Sequence, residues 1–475
     1  MRDLRVWIGK GFESTSRNTG EVRFDLLNTK PRFSSFFLAL AGFSGALHAQ
    51  TLRFNTSLGG IDVVLTPSIT PQTVANFMSY VNSGEYNNTI FHRSLNAENN
   101  PTASGSANFY LIQGGGFIIK NHLPYQFQPN NPIANEYSQS NVRGTIAMAL
   151  TGSDINSATD EWYFNDSDNS AALNAQSFTV FGSVANNPGL AVMDAINNLQ
   201  TYTFDNFADF PFTANYVAGK TPTDSNYVYV NSIVPITPAF TGVANAATAI
   251  PNTTTGISPG EIITIYGTNM GPTTVTSLEL DPTGTSVTNL LEGTQVTFNG
   301  VAGPMIFTYD GQLAVVVPYE IASASTVNVV VSYLGLTTSS QTFKVAAANP
   351  GLFTISQTGK GDAAIVRNDG AFISTSNPAS VGDQLQLYGQ GYGVASPSIA
   401  DGALITGALP IPVAATKLLI DGKVVPNEYI GGAAEEVNGV MQVNFVVPQL
   451  APGSHQIQVQ IGSAISPAGV TLQTM

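Results

Sequence analysis

The side chains best placed for chemistry are Arg93 and Gln113, which stand in two short motifs, Ile90-Phe-His-Arg93 and Leu111-Ile-Gln-Gly-Gly-Gly-Phe117. An arginine carries a permanent charge and a rigid, planar set of N–H donors, so it can stabilise a polar transition state without a nucleophile. A lone arginine on a strand is normally a surface residue, and His92 beside it is more typical of a structural histidine than of a base. The chain has no cysteine, which excludes thiol catalysis, thiolate metal sites and disulfide bridges.

Two other motifs suggest ligand chemistry but lack the residues that it requires. Gly114 to Gly116 form a glycine run, yet no lysine follows them as it would in a phosphate-binding loop. Asp166-Ser-Asp-Asn-Ser170 is similar to the opening of a calcium loop, but Ala171 and Ser177 stand where such a loop needs Gly and Glu. The sequence therefore predicts no metal site and no cofactor.

The segment around these motifs is predicted to consist of strands and two helices. Leu52 to Leu65 alternates apolar and polar residues on both sides of Gly59-Gly60, which predicts a β-hairpin with its turn at the two glycines. One helix is predicted between Thr70 and Gly84, and a second begins at Asn187-Pro188. Apolar strands lie between the helices. This order predicts a closed β-barrel with two capping helices.

Behind this segment the sequence repeats itself. Gly260-Glu-Ile-Ile-Thr-Ile-Tyr-Gly267 matches Gly382-Asp-Gln-Leu-Gln-Leu-Tyr-Gly389 at an offset of 122 positions, and Gln312 to Pro318 matches Gln442 to Pro448 at an offset of 130. Alternating strands with Gly, Pro and Asn turns between them are typical of β-sandwiches. We therefore expect two copies of one sandwich domain.

The repeated part also resembles a known module. Asn349-Pro-Gly-Leu-Phe-Thr354, Asn368-Asp-Gly370 and Asn377-Pro-Ala379 are similar to segments of the C-terminal module of secreted acidobacterial proteins, whose units look like the immunoglobulin-like TIG fold. The expected fold is therefore mainly β throughout, in five segments. They are an N-terminal extension with a signal peptide (1–49), the barrel domain (50–235), a Thr/Ala/Asn-rich linker (236–255) and two immunoglobulin-like sandwiches (256–347 and 348–475).

The N-terminal segment predicts export. Lys30 and Arg32 precede an apolar run of fifteen residues, Phe33 to Leu47, which is followed by His48-Ala49-Gln50. A positive flank, a short apolar stretch and a small residue before the cut are typical of a secretory signal peptide, and the run is shorter than the roughly 20 residues that span a bilayer. We expect a periplasmic or extracellular protein with no membrane span in its mature form. The polar residues before this run are unusual for a signal, so a start of translation near Leu26 is an alternative.

The net charge of the chain limits the classes of partner that it is expected to bind. It carries 17 basic and 31 acidic side chains, for a formal net charge of −14. The first 49 residues hold seven of the basic and four of the acidic residues, so 10 basic and 27 acidic residues remain from Gln50 onward, a net charge of −17. Such a surface repels phosphate backbones and offers no polybasic patch for anionic lipids. The sequence therefore excludes nucleic acid as an expected partner.

Seven short motifs between residues 73 and 182 occur in the order that they have in cyclophilins, and the barrel domain resembles that family over nearly its whole length. These motifs are Thr73-Val-Ala-Asn-Phe77, Ile90-Phe-His-Arg93, Leu111-Ile-Gln-Gly-Gly-Gly-Phe117, Asn135-Glu136, Arg143-Gly-Thr-Ile-Ala-Met-Ala149, Asp168-Asn169 and Thr179-Val-Phe-Gly182. The resemblance implies peptidyl-prolyl cis-trans isomerase activity, which needs no metal or cofactor.

Cyclophilin-type catalysis rotates an X–Pro bond, whose barrier is an amide resonance of roughly 18–20 kcal/mol. The resemblance implies two catalytic residues, Arg93 as the donor to the twisted prolyl nitrogen and Gln113 as the residue that binds the substrate backbone. It further implies a substrate-binding set, whose members could also be plain core residues: Tyr110, Leu111, Ala149, Glu161, Tyr163, Leu173 and Phe178, with His92 beside them. The expected partners are proline-containing peptides, unfolded exported proteins and, weakly, cyclosporin-type ligands.

Several features depart from the cyclophilin pattern. Glu161 replaces the usual Gln, Leu150 replaces an Asn, Ala172 replaces a Trp or Phe, and about a dozen extra residues are inserted at 96–107. These departures leave a second function open, that of a weakly catalytic or non-catalytic scaffold that binds proline peptides at the cell surface. The intact arginine and glutamine favour the enzyme, and the departures favour the scaffold.

Overall fold

The computed structural model describes residues 50–96 and 109–475. The predicted signal segment lies outside these residues, as does most of the predicted insertion at 96–107. The described part is mainly β, as predicted, and it forms a first domain (50–235), a second domain (239–346) and a third domain (347–475). Across these described ranges, no helix is both long enough and apolar enough to cross a membrane.

The described part of the first domain contains thirteen strands and three helices. The strands are β1 (Thr51–Thr56), β2 (Gly59–Leu65), β3 (Thr89–Ile90), β4 (Arg93–Leu95), β5 (Leu111–Gly115), β6 (Phe117–Lys120), β7 (Leu123–Gln126), β8 (Thr145–Met148), β9 (Glu161–Asn165), β10 (Val180–Val184), β11 (Thr201–Phe204), β12 (Phe207–Pro211) and β13 (Tyr229–Pro235). The helices are α1 (Pro71–Ser83), α2 (Ser170–Leu173) and α3 (Asn187–Asn197), with short 3-10 helices at Asn174–Gln176 and Asp224–Asn226.

Eleven of these strands form one curled antiparallel sheet, in the order β4-β5-β9-β8-β10-β2-β1-β13-β3-β6-β7, while β11 and β12 pair only with each other. The predicted closure into a barrel is not seen, because β4 and β7 at the two ends of this order do not pair with one another. β4 has three residues and β7 is a four-residue, mostly exposed strand, so neither offers a long edge for closure.

The two predicted capping helices are present as α1 and α3, and α1 packs Val74 and Phe77 into the main core. Trp162 is fully buried there, with its ring edge-on to Phe54 at 5.2 Å and to Phe91 at 5.5 Å between centroids. Aromatic rings in such edge-to-face contact add to the stabilisation from burial alone. The ring of Trp162 therefore lies inside the core of the first domain.

The start of α1 is capped by a residue distant in sequence. Thr70 precedes the helix as predicted, but its side chain makes no cap to the helix backbone. The carboxylate of Glu136 instead accepts the backbone N–H groups of Gln72 at 3.1 Å and Thr73 at 2.8 Å. A carboxylate at a helix N-terminus satisfies unpaired donors and interacts favourably with the helix dipole. The Asn135-Glu136 motif therefore fixes the helix to the sheet.

The first hairpin turns two residues earlier than predicted. Thr56 pairs with Gly59, so Ser57 and Leu58 form the turn and both glycines lie in β2. Gly60 is needed for another reason: a Cβ there would lie 2.6 Å from the side chain of Thr273 in the second domain. The absence of a side chain lets the two domains approach, and the Gly60 N–H donates to Thr273 Oγ1 at 3.0 Å.

The second domain consists of two five-stranded sheets that share one core. Its elements are β14 (Ala239–Asn245), α4 (Asn252–Thr255), β15 (Ile262–Thr268), β16 (Thr276–Ser277), β17 (Thr294–Phe298), β18 (Val301–Ala302), β19 (Met305–Tyr309), β20 (Gln312–Val316), a 3-10 helix (Tyr319–Ser323), β21 (Thr326–Tyr333), β22 (Leu336–Thr337) and β23 (Gln341–Lys344).

The predicted linker at 236–255 is largely part of the second domain. β14 pairs along its length with β15, and Val243 is buried in the core that the two sheets share. The Thr/Ala/Asn-rich composition suggested a flexible connection, but small residues also suit a strand whose inner face is buried. Only residues 236–238 lie between β13 and β14.

The third domain repeats this plan with two main sheets. Its strands are β24 (Gly351–Leu352), β25 (Gly361–Asp362), β26 (Ile365–Arg367), β27 (Gln384–Gln390), β28 (Ala395–Ser396), β29 (Ile411–Pro412), β30 (Thr416–Ile420), β31 (Lys423–Val425), β32 (Tyr429–Gly432), β33 (Val440–Val446), β34 (Gly453–Ile461), β35 (Ala464–Ile465) and β36 (Val470–Thr474). The repeated segments make equivalent pairs, since Ile262 on β15 lies opposite Val316 and Gln384 on β27 lies opposite Val446. The two domains are thus copies of one double-sheet unit, and their immunoglobulin-like identity stays a prediction.

The second and third domains are packed against each other through apolar side chains. Ile262, Phe307 and Val316 of the second domain share one buried cluster with Phe353 and Val440 of the third. Backbone hydrogen bonds between the domains border this cluster. Such a shared core is typical of domains that move as one body.

Candidate active site

Arg93 and Gln113 lie directly opposite each other on the neighbouring strands β4 and β5. The same row continues across the sheet through Tyr163 on β9, Ala147 on β8 and Val180 on β10. Residues that lie opposite on paired strands project from the same face. The two polar side chains therefore share a face with an apolar surface that begins at Tyr163.

That surface is a small apolar cluster, separate from the main core. Its buried members are Leu95, Leu111, Ala147, Tyr163, Leu173 and Val180, and Phe109, Ala149, Ala172 and Phe178 pack against them. The structure thus brings together five of the residues assigned to substrate binding from the sequence: Leu111, Ala149, Tyr163, Leu173 and Phe178. The ring of Phe178 stands edge-on to that of Tyr163, with centroids 5.6 Å apart.

The hydroxyl of Tyr163 is anchored below this cluster. It donates to Asn141 Oδ1 at 2.8 Å, and burial raises the pKa of Tyr163 far above its ordinary value. A buried hydroxyl without a partner would be costly, so this bond fixes the ring that forms the floor of the cluster. Asn141 is one residue that sequence reasoning missed, because it lies outside the matched motifs.

Tyr110 is not among the described members of this cluster. Its backbone N–H donates to Asn169 Oδ1 at 3.0 Å and to Ser167 Oγ at 3.2 Å, and its side chain is half-buried. Phe109 occupies the edge of the cluster instead. Leu95 was also missed, although it lies two residues beyond Arg93 on β4, and the alternation of a strand places both on one face.

Glu161 and His92 form a buried pair next to Gln113. His92 is 3% exposed, and its Nε2 lies 3.2 Å from Glu161 Oε2. The same carboxylate oxygen accepts a hydrogen bond from Gln113 Nε2 at 2.8 Å. Burial opposes ionisation of Glu161, but the hydrogen bonds from His92 and Gln113 and the charge of Arg93 outweigh it and hold the pKa of Glu161 below its ordinary value. Glu161 is therefore ionised at neutral pH.

His92 packs as a structural residue on its other side. Its ring lies against Phe117 at 4.7 Å and Phe207 at 5.3 Å between centroids, and its Nδ1 is buried with no hydrogen-bond partner among the described residues. Phe207 belongs to the β11–β12 hairpin, so this hairpin covers the back of the Arg93 strand. The contacts suit a residue that holds Glu161 in place rather than one that reaches substrate.

The glycines after Gln113 serve the core behind the site. A Cβ on Gly114 would lie 2.8 Å from the ring of Trp162, which stands opposite it on β9. The indole therefore fills the space that a side chain at position 114 would take. A larger residue at position 114 would have to displace the indole.

The site combines two polar donors with an apolar surface and contains no evident nucleophile. Within residues 50–96 and 109–475, no group of three or more His, Asp or Glu side chains could hold a metal ion. Such a site can bind an apolar ring and stabilise a polar state beside it by hydrogen bonding. It is suited to a reaction in which only rotation about a bond is required.

Comparison with known proteins identifies the first domain. The model of the family described as cyclophilin type peptidyl-prolyl cis-trans isomerase/CLD matches residues 51–213. Peptidyl-prolyl cis-trans isomerase A of Dickeya dadantii is 36% identical over 182 residues, which cover 37% of this chain and 86% of that protein. Peptidyl-prolyl cis-trans isomerase B of Escherichia coli is 34% identical over 158 residues, which cover 32% of this chain and 85% of that protein.

Solved structures match as well. A cyclophilin type isomerase of Cryptosporidium parvum matches 40% of this chain and 98% of its own, with 19% identity and a TM-score of 0.28. A second crystal structure of it was obtained in the presence of the dipeptide Ala-Pro. The sequence relatives define the first domain as a prolyl isomerase domain. The chain belongs to the cyclophilin-type peptidyl-prolyl cis-trans isomerase family.

Proposed function

We propose that this isomerase acts on X–Pro bonds of exported polypeptides, and that Arg93 stabilises the twisted amide during rotation. The proline ring occupies the small apolar cluster around Tyr163, and Gln113 binds the substrate backbone beside it. Unfolded exported proteins are the expected substrates. The observation that carries the proposal is the row of residues from Arg93 through Gln113 to Tyr163 on one face of three paired strands.

The chemistry follows from what an amide loses when it twists. Resonance gives the C–N bond its barrier of about 18–20 kcal/mol, and at the top of the barrier the prolyl nitrogen becomes pyramidal with a localised lone pair. That lone pair accepts a hydrogen bond that the planar amide nitrogen cannot accept. A hydrogen bond from a guanidinium N–H to the prolyl nitrogen is therefore stronger in the transition state than in the ground state. This difference is the condition for catalysis.

The apolar cluster supplies the second requirement. Burying a proline ring against Tyr163, Leu111 and Phe178 removes apolar surface from water and holds the bond to be rotated next to the donor. Ring burial is equal in the planar and twisted states, so it lowers KM. The arginine hydrogen bond forms only in the twisted state, so it raises kcat.

Arg93→Ala in the full chain tests the mechanism. We expect kcat/KM on an Ala-Pro peptide, measured by NMR exchange, to fall by at least about tenfold, a barrier change of about 1.4 kcal/mol. Arg93→Lys should also be slow, because a point charge does not reproduce the planar set of donors. Arg143→Ala is the matched control, since Arg143 is 40% exposed and pairs with Asp194 on α3. Unchanged turnover in Arg93→Ala would remove this residue from the mechanism.

One observation favours the scaffold as a second candidate function. The Gln113 amide already donates to an ionised carboxylate, which weakens its availability to substrate. If binding dominates, the same peptide should bind the wild type and Arg93→Ala equally well while neither accelerates exchange. Export is tested by fractionating the producing cells. The signal hypothesis predicts a mature protein outside the cytoplasm that begins at Gln50.

A further inference from the structure

The third domain contains a small cavity away from the isomerase site. Its volume is about 210 Å³, and it is lined by Phe353, Ala364, Val366, Arg367, Asn368, Gly370, Phe372, Gln386, Tyr388 and Glu436. Typical pockets for drug-sized ligands exceed about 300 Å³. The cavity therefore suits a ligand of about one ring.

The floor of this cavity is the outward face of a sheet whose other face is core. Gln386 and Tyr388 alternate on β27 with Leu385 and Leu387, which are buried in the core of the third domain. Val366 on β26 pairs with Gln386 on one side and forms a bridge with Phe372 on the other. The sheet thus places the amide of Gln386 beside the ring of Tyr388, and the turn after β26 brings the exposed Asn368 and the ring of Phe372 to the same face.

The one cation in the lining is already neutralised. Arg367 donates from Nε to Asp383 at 3.0 Å, from Nη1 to Asn377 Oδ1 at 2.9 Å and from Nη2 to the Pro378 carbonyl at 2.5 Å. Because the Arg367 guanidinium is already bonded to these three groups, the cavity has no unpaired positive charge to attract an anion. The carboxylate of Glu436, which is also in the lining, would repel one. This excludes phosphates, sulfates and carboxylates as ligands.

Two side-chain amides on the cavity wall keep hydrogen-bonding groups that no described residue uses. The half-buried Gln386 accepts from the Tyr388 hydroxyl at 3.1 Å, but its Nε2 donates to no partner among the described residues. Asn368 donates to Gln384 Oε1 at 3.0 Å, and its own Oδ1 accepts nothing in the described part of the chain. One unused donor and one unused acceptor match hydroxyl groups, because a hydroxyl both donates and accepts.

Aromatic faces complete the lining. Phe353 is 7% exposed and forms the inner end, while Phe372 is 40% exposed at the rim. Flat apolar rings pack against the C–H face of a saturated sugar ring, and the hydroxyls at the edge of that ring reach polar side chains. A purely apolar ligand would leave the amides unsatisfied, which costs free energy.

From this lining we propose that the third domain binds a neutral monosaccharide unit, with the sugar ring packed on Phe372 and its hydroxyls bonded to Gln386 and Asn368. The chain would then hold its isomerase domain at a saccharide-bearing surface through the third domain. This role does not depend on turnover at Arg93.

Saturation-transfer NMR on the full chain tests the proposal, with glucose, galactose, mannose and N-acetylglucosamine as probes. We expect at least one of them to bind, and Phe372→Ala and Gln386→Leu each to weaken that binding by about tenfold. Tyr266→Ala is the matched control, because Tyr266 is 39% exposed in the second domain and should leave binding unchanged. Phe372→Ala and Gln386→Leu must both keep the wild-type Tm, since Phe372 and Gln386 lie outside the buried core.

Three results would overturn the proposal. One is the absence of transfer to all four sugars, and another is binding that survives both cavity substitutions. The third is binding of choline in place of the sugars, lost in Phe372→Ala, which would show a cage for organic cations built from the same rings.

Discussion

At the scale of single residues, Glu161 changes what the isomerase site offers its substrate. Its carboxylate accepts from Gln113 Nε2 and lies against His92, and its lowered pKa keeps it ionised at neutral pH. A hydrogen bond to a charged acceptor is stronger than one to a neutral acceptor. If Gln113 binds the substrate backbone as proposed, a substrate carbonyl must compete with the carboxylate for this N–H or use the second N–H of the amide.

We expect Glu161→Gln to lower KM for an Ala-Pro peptide by about two- to tenfold, because the Gln113 amide would lose its charged partner. kcat should change little, since Arg93, the proposed donor to the twisted amide, is untouched. Full progress curves in an NMR or protease-coupled assay separate the two constants. Glu85→Gln is the matched control, as Glu85 is exposed and, among the residues that the structure describes, its carboxylate accepts only from Ser83. A KM that rises instead would mean that the carboxylate itself binds substrate.

The sequence was sufficient to place Arg93 beside Gln113, because each lies in a motif whose order along the chain matches a known family. It could not reveal the contact between His92 and Glu161, which exists only because β9 lies beside β5. Tyr110 shows a different limit. It precedes β5, so strand alternation does not fix its direction, and Phe109 lies at the apolar cluster instead.

At the scale of elements, the two repeated domains place a carboxylate at the same point but in opposite surroundings. Glu261 precedes β15 and Asp383 precedes β27, and each accepts a backbone N–H three residues before it, from Ser258 and Ser380. Asp383 pairs with Arg367, and its pKa is lowered by that backbone hydrogen bond and by the arginine. Glu261 is fully buried among asparagine amides, and burial raises its pKa to about 7.

The Glu261 carboxyl should make the stability of the second domain pH-dependent. A carboxyl whose folded pKa is raised contributes stability at low pH, and this contribution is lost as pH rises from its unfolded pKa of 4.5 through about 7. We therefore expect Tm to fall between pH 5 and 8 in the wild type and to fall less steeply there in Glu261→Gln, in which Asp166 and Asp401, whose pKa values burial also raises to about 7, keep their own contributions. Scanning calorimetry over this pH range measures the difference.

Asp383→Asn is the matched control for this prediction. Its pKa is lowered, so its contribution is present above its unfolded pKa and is lost only as the solution becomes more acidic. The substitution should lower Tm by a similar amount at pH 5 and at pH 8, leaving the wild-type slope. If Glu261→Gln keeps that slope too, another group is responsible for it.

Strands and helix ends could be predicted where a local sequence pattern determines them. The repeat located β15 and β27, and Gly84 ends α1 in a left-handed conformation, as its position suggested. The turn at Ser57 and the strand at 239–245 were missed because their determinants are tertiary. Gly60 is required by Thr273, a residue of another domain, and no local pattern contains that information.

At the scale of the whole molecule, the isomerase domain is joined to the second domain by a buried polar cluster. Arg53 of β1 donates to both oxygens of Asp62 on β2, and also to Asp310 and to the Gly271 carbonyl of the second domain. Tyr333 of β21 donates to Asp62 in turn. Arg53 and Asp62 are 3% and 2% exposed, so the second domain completes their burial.

This cluster affects how stable residues 50–235 are without the second domain. Buried charges stabilise a fold only when their hydrogen bonds are complete, and three of the partners of this ion pair, Gly271, Asp310 and Tyr333, lie beyond residue 235. The face that carries Arg53 is formed by β1 and β2, whereas Arg93 lies on β4 at one end of the sheet. Loss of the second domain should therefore weaken the fold without disturbing the row from Arg93 through Gln113 to Tyr163.

Trp162 allows that separation to be measured. The chain has two tryptophans, Trp7 and Trp162, so in a chain that begins at Gln50 Trp162 is the only one. Its ring is fully buried in the core of the first domain, which predicts blue-shifted emission that soluble quenchers do not reach. Unfolding of this domain should shift the emission to the red, whatever the other two domains do.

We therefore expect residues 50–235 alone to show the blue-shifted emission of Trp162 and wild-type turnover, but to unfold at a lower urea concentration than residues 50–475. The loss should be about 1–3 kcal/mol, the range for hydrogen bonds to charged groups whose partners are removed. Asp310→Ala in the longer chain removes one of those partners, which is partly exposed, and should give a smaller decrease of about 1 kcal/mol. Equal midpoints for all three proteins would show that the cluster adds nothing to the isomerase domain. Solvent-exposed emission from Trp162 in the shorter chain would show instead that this domain needs the second domain in order to fold.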